Sequence, residues 1–127
     1  MADELKGKTI LIVDDDSEVV QSIKATLAET GATIDVAGDG NTGADKAIQD
    51  SPDLMILDMM LPKRSGFLVL ERLRKDRDKT APPQVIFITG NMGRRHRVYA
   101  EALGVAAYMT KPFRMDRLIE TITELLS

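Results

Sequence analysis

"ILIVDDDSEV" (residues 10–19) runs four apolar residues straight into Asp14, Asp15 and Asp16. With Lys8 and Thr9 in front, "KTILIV" (8–13) is β-rich and nearly all apolar, as a strand covered on both faces must be. Two carboxylates about 5 Å apart repel by about 3 kcal/mol at an effective dielectric near 20. An aspartate cluster at the end of a buried strand therefore either fans into water or gathers round a cation. The rest of the chain decides between these.

The same pattern recurs downstream. Val19, Val20, Ile23 and Leu27 follow at helical spacing, with Asp16 or Ser17 placed to cap and Gly31 to end the helix. "TIDVA" (33–37) reads as a second strand and "GNTGADKAIQDS" (40–51) as a short helix. "DLMILD" (53–58) is a third apolar strand, again ending in aspartate. "GFLVLERLRKDRD" (66–78) is an amphipathic helix with Leu68, Leu70 and Leu73 on its stripe. "PPQVIFITG" (82–90) is a strand opened by a proline turn, and "RRHRVYAEALG" (94–104) a polar helix with a thin apolar stripe. "AAYMT" (106–110) is a short strand, and "RMDRLIETITELL" (114–126) a helix along Leu118, Ile122 and Leu125.

Five strand–helix repeats predict a doubly wound α/β fold, a five-stranded parallel sheet flanked by five helices. Ligands bind such sheets at the carboxyl ends of the strands. At those ends stand Asp14 and Asp15, Asp58, Thr89 and, just past the fifth strand, Lys111. An all-oxygen carboxylate pocket suits a hard cation such as Mg²⁺. Asp14 and Asp15 are the natural metal holders. Asp58, alone at the end of its strand, is the natural nucleophile for an aspartyl phosphate. Mg²⁺ would take one phosphoryl oxygen, Lys111 another, and the Thr89 hydroxyl or a nearby backbone amide a third.

Composition narrows the class. The 127 residues suit one domain, without cysteine and with a net charge of -3, so no global field draws the chain to nucleic acid or acidic lipid. No apolar run approaches the roughly 18 residues of a membrane span. "MADELKGK" lacks the apolar core of a signal peptide. These features predict a cytoplasmic domain with no membrane contact.

Four stretches, "ILIVDD", "LMILDMMLPKRSG", "VIFITG" and "AAYMTKPF", resemble in content and order the receiver domain of two-component response regulators, over residues 8 to 126. The resemblance implies a flavodoxin-like fold with strand order 2-1-3-4-5. One receiver domain over residues 1–127 without an output domain is expected, with a receiver cut from a longer chain as the alternative. It implies a phosphorylation-dependent signalling switch, not an enzyme. Asp58 would accept a phosphoryl group from a histidine kinase or histidine phosphotransfer protein. Mg²⁺ would be held by Asp15 and Asp58 directly, by the Met60 backbone carbonyl, and by Asp14 through water. Thr89 and Lys111 would contact the phosphoryl group, and Tyr108 would be the switch aromatic. A cis bond between Lys111 and Pro112 is also implied. A downstream protein would read the face made by the fourth helix, fifth strand and fifth helix. The chain would be a monomer or a weak phosphorylation-dependent dimer.

Several residues carry plainer expectations. Asp16 is assigned to helix capping and His96 to the exposed surface. Met55, Met59 and Met60 fill core or rim. "GDGNTG" (38–43) lacks the Gly-Lys-Ser/Thr ending of a phosphate loop and reads as a turn with a helix start. "RRHR" (94–97) reads as a solvated face and not a nucleic-acid patch. Met60 and Asn91 pull in opposite directions on the lifetime of a phosphoryl group, one hindering water and the other positioning it. An alternative, a dehalogenase-type phosphatase, would need Asp-x-Asp-x-Thr/Val after the first strand. Here Glu18 stands in the last place.

Overall fold

All five apolar runs are strands in the computed structural model of the chain, which describes residues 4–75, 82–90 and 93–127. The order is β1 (Thr9–Val13), α1 (Ser17–Leu27), β2 (Thr33–Ala37), α2 (Gly40–Asp50), β3 (Leu54–Asp58), α3 (Gly66–Arg74), β4 (Gln84–Thr89), α4 (Arg94–Ala102), β5 (Ala107–Thr110) and α5 (Met115–Leu126). The strands form one parallel sheet in the order β2-β1-β3-β4-β5, as expected. Among the described residues no helix is long and apolar enough to cross a membrane.

Alternation along the central strands divides the core. Leu11, Val13, Met55, Leu57, Val85 and Phe87 meet Ala44, Ala47, Val69, Leu70, Leu73 and Ala100 of α2, α3 and α4. Ile10, Ile12, Leu54, Ile56, Ile86 and Ile88 meet Val20, Ile23 and Leu27 of α1 and Leu118, Ile122 and Leu126 of α5. Each such side chain contributes about 1.5–3 kcal/mol on burial. Both faces of β1, β3 and β4 are therefore covered, which is why their sequences are continuous apolar runs.

Some boundaries differ from the sequence reading. α1 ends at Leu27, and a 3-10 turn over Ala28–Thr30 carries the chain to Gly31, whose φ is 84°. α3 buries Gly66, Val69, Leu70 and Leu73, the i, i+3, i+4, i+7 set. Leu68, expected on that stripe, is rotated off it and is 50% exposed. Residues 76–78 of the expected third helix lie outside the described residues. α4 stops at Ala102, two residues early.

Two polar contacts tie elements together. Arg74, buried at the end of α3, donates from Nε to the Leu103 carbonyl at 2.9 Å and from Nη2 to the Gly104 carbonyl at 3.2 Å. It thus serves carbonyls past the end of α4, which a helix terminus leaves without helical partners. Lys46 of α2 reaches β2, donating from Nζ to the Val36 carbonyl at 2.9 Å and to Asp35 Oδ1 at 3.0 Å. The same Asp35 oxygen accepts the Val36 N–H at 2.8 Å.

Candidate functional site

The three aspartates that follow β1 are put to three uses. Asp14 is buried, and its Oδ1 accepts the Asp16 N–H at 2.9 Å. Asp15 is exposed at the rim. Asp16 caps α1, accepting the N–H groups of Glu18 at 3.0 Å and Val19 at 3.3 Å. The run is therefore neither a solvated turn nor a uniform metal cluster, and Asp16 has the capping role expected of it.

Parallel register delivers the remaining groups to the same rim. Val13 stands beside Leu57 and Asp58 beside Ile88, so Asp14, Asp58 and Thr89 end three adjacent central strands. One carboxylate oxygen from each of Asp14, Asp15 and Asp58 lies within 4.8 Å of the others. Lys111 Nζ enters from past β5, 3.2 Å from Asp14 Oδ2 and 3.5 Å from Asp58 Oδ2. Its backbone is held by a bond from Lys111 N to the Thr89 carbonyl at 2.8 Å. The Lys111–Pro112 bond is cis, as expected, and so is Pro82–Pro83.

Burial, and next to it the charge of Asp14, push the Asp58 carboxyl from 3.8 up to about 6, against the pull of the Lys111 ammonium. Burial draws the Lys111 ammonium down, but the Asp14 and Asp58 carboxylates outweigh it and hold the group above the usual lysine value. Three carboxylates facing one ammonium leave two negative charges. The oxygen-only donor set and that residual charge fit a hard divalent ion such as Mg²⁺.

Other expected residues are placed around this centre. Thr89 is fully buried and its hydroxyl donates to Met59 Sδ at 3.4 Å. Tyr108 is half-buried, its ring centroid 6.2 Å from that of Phe87 and 5.7 Å from the Arg97 guanidinium, which lies over the ring. Met55 and Met59 are buried, whereas Met60 is 68% exposed at the rim. Asn91 lies outside the described residues. α3 starts hard against the site: Gly66 N–H donates to the Met59 carbonyl at 2.8 Å, and a Cβ on Gly66 would lie 2.4 Å from the Asp58 carbonyl oxygen. Only glycine fits that approach without moving the backbone of Asp58.

His96 is a correction. It is half-buried, with its ring centroid 5.7 Å from that of Phe67 and Nδ1 buried without a hydrogen-bond partner. Phe67 also meets Tyr99 at 5.3 Å, and the Tyr99 hydroxyl is bonded to Glu71. These contacts, with Arg74, dock α4 on α3. The sequence pattern offers no signal for them, because α4 is polar on most of its surface.

Comparison with known proteins shows the family. Residues 10–123 match the family model for the response regulator receiver domain. The transcriptional regulatory protein DltR of Streptococcus agalactiae is 38% identical over 113 residues, covering 89% of this chain and 49% of that protein. The regulator RpaA of Synechocystis is 36% identical over 117 residues, 92% of this chain and 48% of its own. The chain thus spans about half the length of these curated relatives. A CheY-like receiver domain from Methanospirillum hungatei superposes with a TM-score of 0.84 at 32% identity, covering 94% of this chain and 93% of its own. The chain belongs to the response regulator receiver domain family. Receiver domains of this family are the phosphorylation-dependent signalling switches of two-component response regulators and bind Mg²⁺ in an acidic pocket.

Proposed function

We propose that Asp58 is the phosphoacceptor and that Asp14, Asp15, Asp58 and the Met60 carbonyl hold Mg²⁺, in a cytoplasmic switch that performs no catalytic turnover of its own. The observation that carries this reading is the meeting of three carboxylates with Lys111 Nζ at 3.2 and 3.5 Å on one rim of the sheet. A histidine kinase or histidine phosphotransfer protein is the donor. An Asp58 oxygen attacks the phosphorus, the O–P bond forms and the P–N bond breaks. The electron pair leaves on the imidazole nitrogen, which takes a proton from water. Bound Mg²⁺ supplies positive charge to the phosphoryl oxygens. Lys111, held charged by its carboxylate neighbours, would meet another of those oxygens, and the Thr89 hydroxyl a third.

Acetyl phosphate tests this without a kinase. The wild-type chain is expected to gain one phosphoryl group in Mg²⁺ and none in EDTA, with peptide mapping placing it on Asp58. Uptake elsewhere, or repeated hydrolysis of a phosphomonoester, overturns the assignment. Mg²⁺ at about a hundredfold excess over Kd should add about 2.7 kcal/mol to stability. Asp15→Asn should lose most of this gain and Asp16→Asn, the helix cap, should keep it. Equal melting shifts in the two variants would misplace the metal.

For output, partner recognition falls to the face of α4, β5 and α5. Phosphate on Asp58 offers the Thr89 hydroxyl an acceptor in place of Met59 Sδ. Thr89 then draws toward the site, and Tyr108, packed on Phe87, has room to turn inward. Thr89→Ala should still take up phosphate. Amide exchange over residues 93–113 should respond to beryllofluoride in the wild type and stay nearly silent in this variant. Wild-type changes confined to α1 and α2 would refute this route.

A further inference from the structure

The loop between β3 and α3 is braced sideways by the start of α2, and we propose that this brace, Asn41 against Arg64 closed over Gly40, positions the Met60 backbone and so sets the site's preference for Mg²⁺. The inference rests on the metal site proposed above. Residues 59–65 are anchored at both ends by backbone bonds, Met59 N–H to the Ile88 carbonyl at 2.9 Å and Gly66 N–H to the Met59 carbonyl at 2.8 Å. Between these anchors the chain makes a tight turn. The Arg64 N–H donates to the Pro62 carbonyl at 2.7 Å, and Lys63 sits at a φ of 67°. Lysine gains nothing from that left-handed conformation, so its surroundings must hold it there.

The lateral support comes from α2. Gly40 N–H donates to the Pro62 carbonyl at 3.2 Å, and Arg64 Nε donates to Asn41 Oδ1 at 2.8 Å. Lys63 Nζ lies 4.0 Å from Asp39 Oδ2. Contact is close enough that a Cβ on Gly40 would lie 1.9 Å from the Arg64 carbonyl oxygen. Two residues before Pro62 is Met60, whose carbonyl the site requires at metal distance. Mg²⁺ demands near-octahedral geometry at about 2.0–2.1 Å, whereas Ca²⁺ accepts looser ligands at about 2.3–2.6 Å. A loop freed from α2 therefore penalises Mg²⁺ more than Ca²⁺. Arg64 Nε is engaged by Asn41 and not by a carboxylate of the site, so the two are proposed as positioning residues.

The test titrates Mg²⁺ and Ca²⁺ separately into the wild type, Asn41→Ala, Arg64→Ala, the double variant and Asp15→Asn, following amide NMR shifts, with metal-free melting recorded alongside. Loss of either brace partner should weaken Mg²⁺ binding about tenfold, as supporting contacts around metal ligands do. Ca²⁺ binding should change less, so the ratio of the two affinities moves. The double variant should fall no further than the singles, because both remove one contact. Metal-free melting should stay within about 2 °C, since Asn41 is exposed and Arg64 half-buried. Unchanged Mg²⁺ affinity in both single variants, with Asp15→Asn deficient, overturns the brace and leaves the metal site standing. Equal losses for Mg²⁺ and Ca²⁺ also overturn it, as they would mean a loosened site without the geometric preference. A wild type indifferent to Mg²⁺ overturns the site and the brace together.

Discussion

In acetyl phosphate and Mg²⁺ the Asp58→Asn protein is expected to gain no phosphate, and in metal-free buffer at pH 7.5 it is expected to melt about 10 °C above the wild type. The first half follows from removing the proposed phosphoacceptor. The second follows from what that carboxylate does to the fold. Asp58 is 4% exposed and its carboxyl is pushed from 3.8 to about 6. The folded chain holds the proton more tightly than the unfolded one. The resulting stability is fully present below pH about 4 and is lost as pH rises through about 6. The rise corresponds to at most about 3 kcal/mol. The wild type should therefore lose stability between pH 4 and pH 7, while the asparagine variant, neutral throughout, should lack that limb. Mg²⁺ should close most of the gap from the wild-type side. Thermal unfolding by circular dichroism at pH 4.5 and pH 7.5 checks this; parallel pH slopes in the two proteins would contradict it.

Lys111→Met is expected to act in the opposite direction. Lys111 Nζ stands between Asp14 and Asp58, both 4% exposed, at 3.2 and 3.5 Å. Removing the cation leaves two facing buried carboxylates, a change of the kind that costs about 3–5 kcal/mol. The loss should be largest at pH 7.5 and should shrink at pH 5, as Asp58 takes up a proton. Adding Asp58→Asn should recover much of the stability, because one neutral and one charged group no longer repel. Chemical denaturation of the two single variants and the double variant gives the coupling directly; additive losses would mean that Lys111 acts by packing alone.

The sequence made the strands legible because burial on both faces leaves no room for polar alternation, as in "ILIV" and "LMIL". It made the site legible because parallel topology sends every strand's carboxyl end to one rim. What it concealed depends on rotation about helix axes and on contacts distant in sequence. Leu68 and Val69 are adjacent and both apolar, yet one is half exposed and the other fully buried. Nothing local decides which of them faces the sheet. His96 was expected at the surface. The neighbour that half covers it, Phe67, lies 29 residues earlier, on a helix whose angle to α4 no local pattern encodes. Arg74 reads as one more cation on an amphipathic helix, and only the fold brings it to the Leu103 and Gly104 carbonyls. Gly40 and Arg64 meet only because two loops converge.

Lys46 and Asp35 bear on how copies of the protein behave when crowded. β2 borders the sheet, and the margin of a sheet is where a stray strand, from a second copy or an unfolding neighbour, is templated into a growing ribbon. At Val36 that template is blanked. Asp35 holds the N–H and Lys46 holds the carbonyl, so an incoming backbone finds neither a donor nor an acceptor there. A charged pair at the margin also imposes a desolvation toll on any apolar strand that approaches. Two side chains, one from β2 and one from α2, thereby make Val36 a poor starting point for amyloid-like stacking.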